Sequence, residues 1–508
     1  MASNGDCVRL VLFLGDTFRL FRKSRRVPRP GSDGAVQPGL KMQENEMPPN
    51  IAILTAPIGP TIIRLAAPNM IAMFITLLTL VAEAWYVGRL GTASLAGLAL
   101  AFPMMMLMQT LSGGSIGGSI TGAVAQRLGA GDRAGAEALA FHALLLAVLL
   151  AALSALLFLT EGRSIYTALG GSGAVLEQAL AYSNVLFAGC VTMWLANSCA
   201  AIVRATGNMK VAATHLVVGS VVQVIAAAVL IFGVGPVPGM GIAGAAAGIG
   251  VGYATAFALQ LYYLTARCAE LRLRLFATSA RGAPLAAMLK VGALASVNSL
   301  CSLAAVIVIT AFIARFGVDV LAGFGIGTRL EFLIIPLVFG FGAASTTLVG
   351  ASFGANQGQR AHRAGWTAAL YSAAMAGLIG GIVALFPGIW ASLFSDSEAV
   401  RAACREYLQI VGPFYAFYGV ALCLYFASLG AGRVLWPVLS IILRVVFVLV
   451  GGFLLARSQA TSPAHFYWLV AAGMLSHAIV TAAAIRLGAW NRGRDPQASS
   501  PVPSSAAS

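Results

Sequence analysis

Charge is what this chain has least of. Acidic and basic residues make up 10% of its 508 positions, against roughly 25% in a soluble domain. The stretches 95–126, 138–160, 211–266 and 321–328 contain no Asp, Glu, Lys or Arg. So few polar groups cannot solvate a globule of this size, which excludes an ordinary water-soluble fold. The seven cysteines (7, 190, 199, 268, 301, 404 and 423) show no metal-ligand spacing and imply no disulfide framework. Most fall in apolar runs, where Cys behaves as a small hydrophobe. The five histidines (142, 215, 362, 465 and 477) are scattered, and no paired carboxylates mark a catalytic site. A membrane-embedded hydrolase or transferase would need such clusters, so the chain reads as a non-enzyme. It lacks the phosphate-cradling G-x-x-x-x-G-K-[ST] loop, and no cofactor is expected. Gly239-Met-Gly241-Ile-Ala-Gly244 matches a dinucleotide fingerprint by letters only, with no strand before it and no acidic ribose ligand after it.

What the chain does have is apolar length. Hydrophobic residues are 59% of the total and the mean hydropathy is +0.86. A bilayer core about 30 Å thick needs about 20 apolar residues per helix, and backbone in lipid must satisfy its own hydrogen bonds. The runs are too long and too uniform for barrel strands, which alternate polar and apolar residues. The fold class is therefore an all-α polytopic membrane protein. Twelve spans are expected, near 61–88, 95–124, 137–160, 175–203, 211–233, 241–266, 286–315, 321–350, 364–390, 402–428, 436–456 and 465–489.

The net charge of +15 does not point to nucleic acid, because the basic residues sit in short loops and tails. Loops after even-numbered spans hold twelve Lys or Arg and those after odd-numbered spans five. By the positive-inside bias, both termini are expected in the cytoplasm, in a cell (inner) membrane. Residues 1–55 read as a basic cytoplasmic tail. Val8–Phe21 is too short for a span and unlike a signal peptide; either it lies on the membrane surface or Met42 or Met47 is the true start. Residues 267–285 form the longest basic connection and read as a cytoplasmic linker between an N-lobe (56–266) and a C-lobe (286–490). Residues 491–508 read as a disordered tail by composition.

The two lobes repeat each other. Arg89-Leu-Gly91 and Leu95-Ala-Gly97 recur as Arg315-Phe-Gly317 and Leu321-Ala-Gly323, at an offset of 226. Thr121 then falls on Thr347, Gly129-Ala130 on Gly354-Ala355, Tyr182 on Tyr407 and Gly207 on Gly432, the last three at an offset of 225. Two pseudo-symmetric six-helix lobes around an axis along the membrane normal are a transporter design, with the substrate path between them.

At this point the residues resemble a known family. Glu83-Ala-Trp-Tyr-Val-Gly88-Arg-Leu-Gly91 is similar to the Asp-Thr-x-x-x-Gly-x-Leu-Gly signature of multidrug and toxic compound extrusion (MATE) transporters. Ser94-Leu-Ala-Gly97 and Gly129-Ala-Gly131-Asp132 fit the same pattern. Gly325-Ile-Gly-Thr-Arg329-Leu-Glu331, Gly350-Ala-Ser-Phe-Gly354-Ala and Leu429-Gly-Ala-Gly432-Arg433 look like its second-lobe counterparts. The resemblance covers about 56–490. It implies export of organic, cationic or hydrophobic small molecules in exchange for protons or sodium, by a monomer in the bilayer. Export of lipid-linked oligosaccharides, as in flippases of the wider superfamily, is the alternative.

A carboxylate in a bilayer is expensive to bury and is a functional candidate by default. Glu83 qualifies, lying in an apolar stretch from Ile71 to Val87. Burial disfavours the ionised form of a carboxyl, so such a group can load a proton in one access state and release it in the other. A structural acid bonded to Arg89 is the bland reading. The resemblance places Gln223 where one branch of the family has an acidic motif on the fifth span. Gln223 could still donate to Glu83, but the second acid is missing, which favours protons over sodium. Neither the seventh span, with Asn298 and Ser299, nor the tenth carries the acids of the other branch. Arg329, Glu331 and Arg444 remain in apolar helices. Residues 329 and 331 lie roughly 200° apart around a helix, so Glu331 is expected to pair with Arg444 across helices, either as a static support of the lobe or as a proton-switched pair that joins Glu83 and Gln223 in ion coupling. Candidate substrate-lining residues are Asn69, Gln109, Asn298, Tyr415 and Tyr418. Met104, Met105, Met106 and Met108 could serve varied apolar ligands, although four Met in five positions cannot all face one cavity.

Overall fold

The computed structural model describes residues 53–236, 238–273, 282–458 and 462–491. Nearly all of the N-terminal tail, much of the linker and the C-terminal tail lie outside these residues. Within them, eleven helices are long and apolar enough to cross a membrane, and a bent pair makes a twelfth. They are Ile58–Gly88, Thr92–Gly129, Arg133–Ala168, Gly173–Ala188 with Cys190–Ala205, Met209–Phe232, Ile242–Arg267, Leu285–Phe316, Val318–Gly354, Gly358–Leu385, Glu398–Ala431, Leu435–Arg457 and Pro463–Ala489. These are called the first to twelfth spans. The fourth bends by 51° at Gly189, a break that its continuous apolar run did not announce.

Each span divides into two faces. On the first, Ile62, Ala66, Asn69, Ala72, Thr79, Glu83 and Val87 are buried, while Ile71, Leu78, Val81 and Trp85 are exposed. The buried set follows helical spacing, and the exposed set is as apolar as a lipid-facing stripe requires. The second span carries a π-helical stretch, Thr110–Ile116, through Gly113 and Gly114. Where small residues repeat, helices touch backbone to backbone: a Cβ on Gly244 would strike Leu230 of the fifth span, and one on Gly248 would strike Ala227.

The repeat is visible as matched contacts. Gly97 packs on Gln178 and Ala179 of the fourth span, and Gly323 packs on Ala403 and Cys404 of the tenth, the same positions in register. Between the lobes the pairing is reciprocal. A Cβ on Gly129 would run into the Ala351 carbonyl, and one on Gly354 would run into the Gln126 carbonyl. Around these contacts Gln126 Nε2 donates to the Gly430 carbonyl at 2.7 Å, and Thr347 Oγ1 donates to the Arg204 carbonyl at 3.1 Å. Arg360 of the ninth span also holds the Ile53 and Ala56 carbonyls ahead of the first. All of these lie at the end where the first span begins and the even-numbered spans finish. The lobes are sealed there.

At the same end Asp132 caps the third span. Its Oδ1 accepts the Gly135 N–H at 2.8 Å and its Oδ2 pairs with Arg127 at 2.8 Å. The Gly135 amide first, then Arg127, hold this carboxyl below the usual range. A depressed folded value means stability present above the unfolded value, about 3.9, and lost as pH falls through the folded one. Both partners are about two-fifths exposed, so the cap, rather than the ion pair, carries the effect. Asp132→Ala should lower stability by about 1 kcal/mol at neutral pH, and the gap to the unaltered protein should close on acidification below about pH 4. Melting curves of the two proteins across pH check this. Gly129→Val should wedge the sealed end and remove about 1–3 kcal/mol; an unchanged melting temperature would contradict the close contact.

Candidate functional site

Glu83 sits near the far end of the first span from the seal, on the buried stripe with Thr79 and Val87, and is 4% exposed. The Tyr182 hydroxyl donates to its Oε1 at 2.8 Å. Tyr182 is fully buried on the fourth span, and its hydroxyl also lies 3.3 Å from Met105 Sδ. Tyr253 of the sixth span is near enough to feel the Glu83 charge. Among the described residues no Lys or Arg pairs with Glu83. Arg89, one candidate partner, instead lies over the Trp85 ring at 4.0 Å.

The anticipated bond from Gln223 to Glu83 is not formed. The stem of Gln223 packs against Gly252, whose missing side chain lets the fifth and sixth spans close on each other, and Tyr182 takes the carboxylate instead. Nothing in the amino-acid pattern singled out Tyr182 as a partner, although it was one of the marks of the repeat.

In the second lobe, Tyr407 stands at the same register. Its hydroxyl is 3.5 Å from Glu331 Oε1, and Gly327, one turn before Glu331, leaves room for its ring. Glu331 occupies the position that Met105 holds in the first lobe, so each tyrosine meets the same site on its lobe's second helix. Only in the second lobe is that site acidic. The expected Glu331–Arg444 ion pair is corrected by the structure: neither residue takes part in any ion pair among the described residues. Arg444 acts on Glu331 electrostatically, but its guanidinium lies over the Tyr418 ring at 5.9 Å. Arg329 points elsewhere, as its spacing requires, and lies over Phe394 at 5.7 Å.

The remaining candidates divide by exposure. Asn69 is 2% exposed and donates to Met209 Sδ at 3.2 Å. Asn298 and Tyr415 are buried, while Gln109 and Tyr418 keep partial access. Next to Asn298, Ser299 meets Ser115 Oγ at 2.7 Å across the lobe boundary. Met105 and Met108 are buried, and Met104 and Met106 pack around the same first-lobe core.

Comparison with known proteins agrees with this architecture. The MatE family model matches twice, over residues 68–229 and 295–454, which is the spacing of the repeat. The chain is similar to a protein named FAD transporter from Shewanella oneidensis, 25% identical over 372 residues, covering 73% of this chain and 82% of that one. It is also similar to the probable multidrug resistance protein YoeA of Bacillus subtilis, 23% identical, over 54% of this chain and 60% of that one. Among solved structures it matches a MOP superfamily transporter from Pyrococcus furiosus, described with a binding pocket of reverse polarity (TM-score 0.80, 23% identity, 87% and 99% coverage). An outward-facing multidrug resistance MATE family transporter matches with a TM-score of 0.81, 23% identity and the same coverage.

The hydrogen bond to Glu83 yields a test of the first-lobe site. Tyr182→Phe leaves a buried carboxyl with no donor, a loss of about 1–3 kcal/mol. Any activity that depends on Glu83 should fall by about tenfold or more, with the protein still folded; unchanged activity would remove Tyr182 from the site.

Proposed function

Because the chain belongs to the MatE family, we propose that it is a secondary antiporter that exports organic, cationic or hydrophobic compounds in exchange for protons. The observation that carries this reading is Glu83: an acid 4% exposed, held by the neutral hydroxyl of Tyr182 and paired with no described cation. An ion pair would fix its charge, whereas a neutral donor lets proton loading follow which side's water reaches it. The seal at one end supplies the other half of the device, since closure there leaves access to Glu83 from the opposite side. By the loop charges, the sealed end is cytoplasmic and both termini lie on that side.

Protons suit this site better than sodium. A sodium ion wants several oxygen ligands, and here one carboxylate and one phenol converge, with no bond from Gln223 to Glu83 among the described residues. A lipid-linked oligosaccharide flippase would need a strongly basic central cavity, which Arg444 alone does not supply. The name of the Shewanella relative favours a second reading, export of a flavin nucleotide by the same cycle. In either case the partners are small molecules and the bilayer, and the working unit is one chain with no cofactor.

The deciding experiment is ethidium and norfloxacin efflux from cells, with the proton or the sodium gradient collapsed in turn. Efflux should stop with the proton gradient alone. Glu83→Gln should abolish efflux while the protein stays in the membrane, and export at the unaltered rate by that variant would end the assignment.

A further inference from the structure

At the sealed end, one corner of the second lobe has no part in the proton cycle. A cavity of about 730 Å3 opens there, lined by Phe353, Asn356, Gln359, His362, Arg363 and Trp490 among others. It lies between the end of the eighth span, the start of the ninth and the end of the twelfth, and no acid lines it.

The repeat shows what sets this corner apart. In the first lobe the chain neutralises the same place by itself. Asp132 meets Arg127 at 2.8 Å, Glu137 meets Arg133 at 3.1 Å, and the Arg272 N–H of the linker donates to Glu137 at 3.0 Å. At an offset of 225, Gln357 stands for Asp132 and His362 for Glu137. Both acids are gone, but cations remain. Arg360 and Arg363 belong to this stretch, Arg433 donates to the Asn491 carbonyl at the cavity's edge, and Arg486 lies over the Trp366 ring at 4.9 Å. Arg360 likewise meets only backbone carbonyls. Among the described residues none of these four joins an ion pair. The sequence holds no Asp or Glu between Glu331 and Asp396, or between Glu406 and Asp495, to neutralise them.

The surroundings favour a lipid over a soluble anion. Arg363 and Arg486 are exposed, and each shares a helix face with side chains open to the hydrocarbon. Leu370, Ala374, Leu378, Ile382 and Leu385 follow Arg363 at helical spacing, and Ile479 and Ala483 precede Arg486 with Leu487 beside it. Cations at the head of apolar stripes match a phosphate above acyl chains. Basic pockets between helices at a membrane surface are suited to anionic headgroups.

We propose that this corner binds an anionic phospholipid, its headgroup in the cavity, its phosphate on Arg363 and Arg486, and its chains along the ninth span. The lipid then supplies the negative charge that Asp132 and Glu137 supply in the first lobe. This inference goes beyond the transport reading and does not depend on it.

The test is lipid retention by the full chain, released from nanodiscs of equal phosphatidylglycerol and phosphatidylcholine and counted by native mass spectrometry. Phosphatidylglycerol should be retained about tenfold over phosphatidylcholine. Arg363→Gln and Arg486→Gln should each remove most of that preference, while Arg363→Lys, which keeps the charge, should preserve it. His362→Glu, which restores the first lobe's acid, should lower it too. Arg133→Gln, in the neutralised corner, should leave it unchanged. Equal retention of the two lipids, or a loss in Arg133→Gln as large as in Arg363→Gln, would overturn the proposal. A second reading separates the sources of phosphate. The melting temperature in nanodiscs should rise with phosphatidylglycerol, but not when inorganic phosphate is added to phosphatidylcholine. A rise with inorganic phosphate alone would assign the corner to a soluble anion and sink the lipid.

Discussion

The structure depends on one contact made twice, glycine against carbonyl across the boundary between lobes. Gly129 lies on the Ala351 carbonyl and Gly354 on the Gln126 carbonyl, each the image of the other under the repeat. In lipid there is little hydrophobic force to press helices together, so close backbone approach and hydrogen bonds must do so. A side chain at either glycine would hold the second and eighth spans apart. The contact gathers other bonds around it, among them Gln126 to Gly430 and Thr347 to Arg204. Because these lie at one end of the helices, the lobes can part there only if the whole set breaks together. A set that forms and breaks as a unit is what two discrete states require.

That seal gives meaning to where the acids lie. Glu83 is near the far end of the first span, beyond the contacts that close the lobes, and Glu331 is likewise before the sealed portion of the eighth. An acid at the seal would have to lose its water whenever the lobes closed. Placed beyond it, each acid is held by a tyrosine from its own lobe, Tyr182 or Tyr407, and keeps its local geometry while the lobes move. Rigid lobes that keep their acids inside are compatible with rocking; an acid shared across the moving boundary would resist it.

The spans and the repeat could be read from the amino acids because both rest on long, strongly patterned signals. Apolar runs between basic loops fix where helices cross, and an offset of 225 or 226 fixes which helix matches which. The bend at Gly189 escaped because one glycine in an apolar run carries no directional information. Glu83 stood out because an acid in such a run is rare, but its partner lies 99 positions away on another helix, where only packing decides which side chain arrives. Gln223 was chemically suitable, but its stem packs against Gly252 and no bond to Glu83 forms. Counting charges suggested Glu331 with Arg444, and it failed on geometry: the guanidinium lies over the Tyr418 ring at 5.9 Å, and opposite signs on neighbouring helices do not fix the distance between them.

The repeat also separates what packing needs from what function added. Arg204, at the end of the fourth span, is 3% exposed and lies over Phe339 of the other lobe at 5.9 Å. Its counterpart in register is Leu429, 1% exposed, against which Gly118 of the first lobe packs. One lobe thus reaches across the boundary with a guanidinium and the other with an isobutyl group, at the same place in the same helix. Since the leucine closes its side without a charge, the boundary itself demands only bulk there. Among the described residues no acid pairs with Arg204, so sealing the lobes must strip water from an unneutralised cation, while parting them lets water return. The first lobe therefore carries a term that opposes closure and the second lobe does not. Two halves descended from one plan have become unequal at the seal, as they have at Met105 and Glu331.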